Sequence, residues 1–459
     1  MAKGKVFGLI ILLFIVVVAL FIYTGRLDLS NTGLDISSED DITDTDGDGV
    51  QDKFDQCPTV YGSVYNHGCP EGSETPPPTT AAPTTQAPTT AAPTTQAPTT
   101  AAPTTQPPAE LSLGPKDFPL QFYDLASSFN TPNEVDSTNL LWQENVDAPY
   151  FSSFPCVGYD RIYFKTGDAY LNCYDEASGN FLWSSMLAST GASFPTLYEG
   201  NVYIMDENLI RCFDAISGDY LWDLDTGGMP APMMPFMIAD DMIFTGNSGV
   251  ACYDLQSRNL LWNYEHPLSN VRYSNMVYAD GKVFACTAFH AYCVDASTGT
   301  QLWSADVPDQ TGLKLSYYQG NLLVSNIIGS LTCLDASNGA ENWEMILPNP
   351  ARGYILSHAA VANDRVYFCV GNDSLRCIDI NSGNLIWKTD DASMWNGFPF
   401  LGFDQVIVIT RASGGTYIKS YNISNGQLQW QLPTGSMASY TIANDKIFVE
   451  DQSMLKCYG

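Results

Sequence analysis

The hydrophobic and polar positions follow one repeating pattern from about residue 131 to the C-terminus. Short runs of alternating apolar and polar residues end in a Trp, and successive Trp residues are 39 to 44 positions apart. Cys293-Val-Asp-Ala-Ser-Thr-Gly-Thr-Gln-Leu-Trp303 is the clearest of seven similar stretches, in which Asp (Asn422 in the last) lies eight residues before Trp. A period near 40 residues indicates stacked supersecondary units. The repeated residues are Trp142, Trp183, Trp222, Trp262, Trp303, Trp343, Trp387 and Trp430.

A second signal follows about 20 residues after each Trp, where two β-rich runs flank a pair of turn residues. Asn, Asp and Gly predominate in these pairs and tolerate the positive φ that tight hairpins require. Each unit is therefore predicted to form four short antiparallel strands, the blade of a β-propeller. The turn pairs are Tyr159-Asp160, Glu199-Gly200, Asp240-Asp241, Asp280-Gly281, Gln319-Gly320, Asn363-Asp364, Phe403-Asp404 and Asn444-Asp445.

The two ends of this region each supply part of a blade. The region begins with a lone fourth strand at 139–142 and ends with a lone third strand at 454–458. Pairing of these two strands would close a ring and remove exposed sheet edges. The predicted fold class is all-β, an eight-bladed β-propeller with four antiparallel strands per blade, closed by the terminal strands of the domain.

The phrase Ala-x-(Ser/Thr)-Gly-x-x-x-Trp resembles the tryptophan-docking repeat of PQQ-like (quinoprotein-type) β-propellers, and the resemblance covers residues 131–459. It implies that the eight Trp side chains pack between blades. Where that family often has Ala, this chain has Cys at one repeat position, which we interpret as a small buried residue. Equivalent positions on neighbouring blades are too far apart for disulfides. Cross-strand disulfides between Cys286 and Cys293 or between Cys369 and Cys377 stay open as alternatives.

The resemblance also raises the possibility of a PQQ-dependent dehydrogenase. The sequence has no adjacent Cys pair, no Cys-x-x-Cys-His haem motif and no cluster of catalytic side chains. Because fold alone does not imply function, we expect no enzymatic activity and no bound PQQ.

The loops that join a fourth strand to the next blade form one rim of the ring, and several are rich in Met and aromatic residues. Such loops can bind a partner, or they can plug the central channel instead. Two cations on comparable loops, Arg272 and Arg352, could hold an anion. The candidate rim residues are Met229, Met233, Met234, Phe236, Arg272, Arg352, Trp395 and Phe398.

The N-terminus is strongly apolar. Val6 to Tyr23 is a run of 18 residues without charge, after Lys3 and Lys5. This pattern predicts a transmembrane anchor within residues 1–26, with a cytoplasmic N-terminus and an extracellular propeller. A cleaved secretory signal, or cleavage after Gly4, is the alternative. A short linker, residues 27–42, follows.

Residues 43–70 carry oxygen ligands at calcium-loop spacing, with Asp at loop positions 1, 3, 5, 9 and 12 and a backbone carbonyl at position 7. With the following Cys-Pro pairs, this segment resembles a thrombospondin type-3 repeat. The resemblance implies a disulfide between Cys57 and Cys69. Calorimetric titration with millimolar calcium is expected to show binding heat. The predicted ligands are Asp44, Asp46, Asp48, Val50, Asp52 and Asp55.

Residues 71–112 are rich in Thr and Pro, with a repeated Thr-Thr-Ala-Ala-Pro-Thr-Thr-Gln-Ala-Pro phrase. Such a stretch cannot bury a core and favours extended polyproline II, so it is predicted to be a disordered stalk. The propeller domain then occupies 113–459. Asn372 and Asn422 lie in glycosylation sequons at predicted turns.

The formal net charge of −30 argues against nucleic acid and anionic lipid as partners. We therefore predict a single-pass, membrane-anchored cell-surface protein whose propeller binds or scaffolds an unknown protein or envelope glycan. The alternatives are the PQQ-dependent dehydrogenase and a structural subunit of a surface layer or filament.

Overall fold

A computed structural model describes the C-terminal region of the chain. The described residues are 111–120, 124, 126–136, 138–146, 153–191, 193–227, 236–246, 249–265, 276–287, 289–307, 314–326, 329–347, 357–371, 373–391, 394, 398–412, 415–435 and 439–459. The predicted anchor, calcium module and most of the stalk lie outside them. Within these ranges, no helix has the length and apolar character needed to cross a bilayer.

The described chain forms eight four-stranded antiparallel sheets. Blades 1 and 2 contain β2 (Cys156–Gly158), β3 (Arg161–Lys165), β4 (Tyr170–Asp175), β5 (Phe181–Met186), β6 (Thr196–Tyr198), β7 (Asn201–Asp206), β8 (Leu209–Asp214) and β9 (Tyr220–Asp225). Blades 3 and 4 contain β10 (Met237–Ala239), β11 (Met242–Gly246), β12 (Gly249–Asp254), β13 (Leu260–Glu265), β14 (Val277–Ala279), β15 (Lys282–Cys286), β16 (His290–Asp295) and β17 (Gln301–Asp306).

The remaining blades follow the same order from the inner strand outward. Blades 5 and 6 contain β18 (Lys314–Tyr318), β19 (Asn321–Ser325), β20 (Ser330–Asp335), β21 (Glu341–Ile346), β22 (Ala360–Ala362), β23 (Arg365–Val370), β24 (Ser374–Asp379) and β25 (Leu385–Lys388). Blades 7 and 8 contain β26 (Phe400–Leu401), β27 (Gln405–Ala412), β28 (Gly415–Asn422), β29 (Leu428–Thr434), β30 (Ser439–Ala443), β31 (Lys446–Asp451), β32 (Met454–Tyr458) and β1 (Leu140–Asn145).

The closing blade joins the two ends of the domain. Its strand order is β1-β32-β31-β30, and β1 is antiparallel to β32 with Gln143 opposite Lys456. The first strand of the domain therefore completes the sheet that its last three strands form. The predicted eight-bladed architecture and its closure are confirmed.

Seven of the eight predicted turn pairs have positive φ at both residues, as at Asp280 (52°) and Gly281 (68°). The exception is Phe403-Asp404, where neither residue has positive φ. There the Phe403 amide donates to the carbonyl of Asn133, which lies outside the blade. This outside partner replaces the two-residue hairpin turn that the sequence pattern predicts.

The core lies between the blades, where buried residues of the second and third strands of one sheet face the next. The ten described cysteines are all free and buried. Register explains why the candidate disulfides do not form: Cys293 pairs with Phe284, and Cys286 pairs with Ala291. Cys369 and Cys377 are separated in the same way. The cross-strand disulfide alternative is wrong, and the interpretation as small buried residues holds.

The described residues of 116–133 (116–120, 124 and 126–133), which we name the inner strap, lie along the inner strands of the ring before β1 begins. Their backbone bonds to most blades, and Phe118 and Phe129 are fully buried. The amides of Val157, Leu197, Tyr317, Val361, Leu401 and Asn444 donate to strap carbonyls over 2.8–3.0 Å. The strap thus contacts six of the eight blades. The sequence analysis did not predict it.

Candidate functional site

The repeated Trp residues lie at the joints between blades. The Trp303 indole N–H donates to the carbonyl of Ala336 in the next blade at 3.0 Å, and its ring packs on Gly339. Equivalent indole-to-carbonyl bonds are made by Trp142, Trp262, Trp343 and Trp387. These side chains connect neighbouring sheets, which is a structural role.

Three joints depart from this pattern. The Trp183 ring packs on Gly218, but its indole nitrogen has no hydrogen-bond partner among the described residues. In blade 3 the turn has Arg258 in place of Gly, with φ of 60°, and its guanidinium lies 5.3 Å from the Trp222 ring centroid. Trp430 faces the closing blade. The third and fourth strands of that blade are β32 and β1, the last and first strands of the domain, so no turn joins them. The Trp430 indole nitrogen has no hydrogen-bond partner among the described residues.

The two faces of the ring differ. The tight turns after the inner strands lie on one side, which we name the turn face. The loops that enter the inner strands lie on the other side, the loop face. The strap bonds to the middle residue of three inner strands (Val157, Leu197 and Val361), to the next-to-last residue of β18 (Tyr317) and to the last residue of β26 (Leu401). These bonds are at or beyond the middle of each strand in the direction of the turn face, and the loop-face end of each strand lies before them.

One position per blade lines this end of the channel. In each blade, one residue at the end of the inner strand pairs with the first residue of the second strand. The position in question lies four residues before that paired residue. The corresponding positions of blades 3 and 4, 235 and 275, fall outside the described ranges. We name the six remaining residues the mouth: Phe154, Phe194, Lys314, His358, Phe398 and Ser439.

Four rings of the mouth form a continuous aromatic arc. The ring centroids of His358 and Phe398 are 5.0 Å apart, those of Phe398 and Phe154 are 5.8 Å apart, and those of Phe154 and Phe194 are 5.7 Å apart. The strap residue Phe129 stacks on Phe398 at 5.9 Å with an angle of 9°. Phe154, Phe194 and Phe398 are half-buried, so the arc keeps an accessible apolar edge.

The ionisable groups of the mouth are strongly affected by burial. Burial lowers the pKa of the Lys314 ammonium to about 8, which still leaves it mainly cationic at neutral pH. Burial, assisted by the nearby Lys314 cation, holds the pKa of His358 well below its usual value, so its ring is neutral.

A buried carboxyl group lies directly behind Ser439. The Ser439 hydroxyl donates to Oε2 of Glu450, whereas Oε1 has no hydrogen-bond partner among the described residues. Glu450 is 1% exposed. Burial raises its pKa well above the usual value, and the serine hydrogen bond only partly opposes this effect. The carboxyl group is therefore held toward its neutral form, which carries a proton to donate.

A buried charge network supports the mouth at blades 1 and 2. Asp206 pairs with Arg211 at 2.8 Å and accepts the backbone amides of Ala188 and Ser189. The Lys165 ammonium donates to the carbonyl of Gly191 at 2.7 Å. Burial lowers the pKa of Lys165, and Asp206 opposes this shift. Since Arg211 neutralises Asp206, this network contributes a net positive charge.

These residues do not fit a calcium-supported quinone. Such a cofactor needs oxygen ligands for its metal ion. Beside the described mouth, the Asp206 carboxylate is paired with Arg211, and burial holds the Glu450 carboxyl group toward its neutral form. The described residues contain no group of three His, Cys, Asp or Glu side chains that could hold a metal ion. We derive no chemical step through PQQ.

Two of the predicted rim residues are described, and the structure corrects their predicted exposure. Phe236 is 6% exposed and packs in the core between blades 2 and 3. Phe398 belongs to the aromatic arc. The other six predicted rim residues lie outside the described ranges: Met229, Met233, Met234, Arg272, Arg352 and Trp395.

The sequence analysis missed Phe154, Phe194, Lys314 and His358. A signal was present, since Ser-Phe-Pro occurs at 153–155 and 193–195 and Phe-Pro at 398–399, each immediately before an inner strand. Asn422 is partly buried, and its side-chain oxygen accepts the amide of Ser424, which stabilises its turn. Asn372 and the predicted calcium and disulfide residues lie outside the part that the structure describes.

Comparison with known proteins places this ring among related folds. A family model described as outer membrane protein assembly factor BamB matches residues 133–288 and 287–451. The assembly factor BamB of Yersinia pestis is 24% identical over 173 residues, 35% of this chain. The match covers 44% of that relative, less than half of its length. The resemblance of the repeat to PQQ-like propellers is confirmed, whereas residues 43–70 lie outside these matches.

Solved structures show the same fold. BamB from Moraxella catarrhalis has a TM-score of 0.54 and 15% identity, with coverage of 70% of this chain and 97% of that one. The quinohemoprotein alcohol dehydrogenase from Comamonas testosteroni has a TM-score of 0.57 and 13% identity, with coverage of 75% and 80%. At such low identity the likeness concerns architecture alone.

Proposed function

This chain belongs to the family described as outer membrane protein assembly factor BamB, and we propose that it is a non-enzymatic propeller that binds a protein partner at the cell envelope through its mouth. The name of the family supports a role in protein assembly rather than in chemistry. The half-buried aromatic arc is the observation that carries the proposal, because accessible aromatic edges are typical of protein-binding surfaces.

The strap supports the choice of the loop face. Its backbone bonds to six blades at or beyond the middle of their inner strands, toward the turn face. The mouth lies at the opposite ends of these strands, where a partner that approaches along the axis would contact it. The neutral His358 and Glu450 make this surface less costly to desolvate than a charged one.

The N-terminal segments would present the propeller away from the membrane. In this proposal, residues 1–26 anchor the chain, the 43–70 module binds calcium, and the Thr/Pro-rich stalk of 71–112 separates it from the propeller. At about 3.1 Å per residue in polyproline II, the stalk spans roughly 110 Å. The mouth would then be accessible to other envelope proteins.

Affinity capture from the native envelope tests this proposal. We expect Phe194→Ser to abolish partner recovery, because it removes an accessible ring from the arc. Phe289→Ser is the matched control, since Phe289 is 54% exposed on the same face but lies at a turn away from the axis. Recovery that survives Phe194→Ser in a protein with unchanged melting temperature would refute the role of the mouth.

A dehydrogenase is the second candidate, because the fold is shared with a quinohemoprotein alcohol dehydrogenase. The same preparation, supplied with PQQ and calcium, should fail to reduce a dye with alcohols or sugars. Dye reduction that depends on both additions would favour the enzyme and contradict the binding proposal.

A further inference from the structure

Two lysines lie at or beside the described part of the mouth, in a chain whose formal net charge is −30. Lys314 belongs to the mouth, and Lys165 lies behind Phe154 through a bond between its amide and the Ser153 hydroxyl. Asp206 is paired with Arg211, and the Glu450 carboxyl is held neutral by burial.

Three carboxylates on the same face lie farther out and are paired with cations. Asp373 pairs with Arg376, Asp391 pairs with Lys419, and Asp451 pairs with Lys456. All three lie on or after the outer three strands of their blades. The field at the axis is therefore set by the lysines rather than by these acids, and a low-dielectric wall of aromatic rings strengthens it.

Two buried polar groups at the mouth offer hydrogen bonds that the described residues do not use. Oε1 of Glu450 has no partner and is buried behind Ser439. The hydroxyl of Ser193, next to Phe194, is also buried and without a partner in the described structure. A neutral carboxyl group and a hydroxyl can both donate to an incoming anion.

The strap provides an intramolecular example of what the arc accepts. The ring of its residue Phe129, where φ is 54°, stacks on Phe398 and lies 5.4 Å from His358. The inner side of the arc thus already packs against a phenyl ring of the chain itself. Its outer side presents Phe154 and Phe194, with Lys314 farther along the ring beyond His358.

We infer that the mouth receives an acidic segment of a partner protein, with an aromatic side chain against the arc and a carboxylate at Lys314. This inference rests on the proposed function and adds the chemistry of the partner. Charge complementarity with Lys314 selects the acid. The arc selects a residue with a flat apolar ring.

Labelled peptides test this chemistry by fluorescence anisotropy with the full-length chain. The probe is alternating Asp and Phe, and the comparison peptides are alternating Asp and Ala and alternating Lys and Phe. We expect measurable affinity only for Asp-Phe, and this affinity should weaken with salt. Equal affinity for Lys-Phe would overturn the charge assignment, and equal affinity for Asp-Ala would overturn the role of the arc.

Variants of the chain locate the contact. Lys314→Met should weaken Asp-Phe binding about tenfold or more through loss of a charge-assisted bond, whereas Lys314→Arg should retain most of it. Lys388→Met, at an exposed position on the outer strand β25, is the matched control and should bind normally. Unchanged binding by Lys314→Met, with wild-type melting, would refute the inference.

The result of the peptide-binding test can be distinguished from the result of the capture experiment that tests the proposed function. If Phe194→Ser abolishes native capture but Asp-Phe peptide does not bind, the mouth remains a protein site and the acidic partner is wrong. If neither depends on the mouth, both proposals fail. If benzoate competes with the peptide as strongly as unlabelled Asp-Phe does, the mouth is a site for a small aromatic acid, and the protein-segment inference is overturned.

Discussion

At the scale of single residues, the joints between blades depend on glycines that lie against indole rings. A Cβ atom added to Gly339 would lie 2.6 Å from Cε3 of Trp303, closer than real contacts allow. Gly339 also has φ of 76°, in the left-handed region. The repeat therefore combines two needs, space for Trp and a positive φ, in one residue.

These two needs can be separated by a pair of variants. Gly281→Ala changes a residue with φ of 68° that has nothing within 4 Å of an added Cβ, so we expect a loss of about 1 kcal/mol from backbone strain. Gly339→Ala should lose about 1–3 kcal/mol more, because Trp303 must shift. Urea unfolding followed by Trp fluorescence measures both. Equal losses of unfolding free energy in the two variants would show that the contact between Gly339 and Trp303 does not contribute to stability.

Residue-level prediction succeeded where a pattern repeated and failed where it did not. The repeated Trp and turn residues were visible because eight copies share them. Lys314 and His358 each occur once at a position that the other blades fill with Phe, Ser, Pro or Asn, so no repeat marks them. Their importance arises from convergence on the axis, which only the ring geometry reveals.

At the scale of elements, the turn between the third and fourth strands is capped by a carboxylate. In blade 4, Asp295 accepts hydrogen bonds from the Ser297 and Thr298 hydroxyls and from both amides. These hydrogen bonds, led by that of the Ser297 side chain, lower the pKa of Asp295. A side-chain hydrogen bond is likewise the main cause that lowers the pKa of the corresponding carboxylates: Asp175, Asp254, Asp335 and Asp379.

A lowered pKa in the folded state makes stability depend on acid. The hydrogen bonds of these carboxylates contribute fully to the free energy of unfolding at pH values above the unfolded-state pKa, near 3.8. This contribution is lost as the pH falls through the lower pKa values of the folded state. Asn at all five positions should keep the turn, as Asn422 does in blade 7, and should reduce the stability loss between neutral pH and about pH 3.

Urea midpoints across this pH range check the prediction. Asp223→Asn, at an exposed position on strand β9, serves as the control and should leave the acid dependence as in the wild type. An unchanged acid loss in the five-site Asn variant would show that these carboxylates do not link turn formation to pH.

The strap marks the limit of prediction at this scale. Strands and turns follow from local periodicity, whereas residues 116–133 have no repeat and no strand pattern. They accept hydrogen bonds from amides of five inner strands and from the amide of Asn444, in the turn after β30. Such a partner surface exists only after the ring has closed, so sequence order alone does not indicate it.

At the scale of the whole molecule, polar contacts strengthen the junction between the closing blade and blade 1. Glu176 is 5% exposed and accepts hydrogen bonds from Lys446 and Asn444, both at 2.9 Å. The Thr441 hydroxyl donates to the carbonyl of Pro155 across the same junction. The number of blades and the closing pair followed from the sequence because the two incomplete units add up to one blade.

The strap and the mouth together give the ring one functional face. The turn-face end of the channel holds the strap, and the loop-face end presents the aromatic arc and Lys314. The account therefore depends on a partner that contacts the loop face at the axis and leaves the turn face free.

Site-specific photo-crosslinking in the native envelope tests this dependence most directly. A benzophenone amino acid is introduced in place of Phe194 at the mouth and, separately, in place of Phe403, which is 74% exposed on the turn face. The account predicts a crosslinked partner from position 194 and none from position 403. A partner crosslinked from 403 but not from 194 would contradict it.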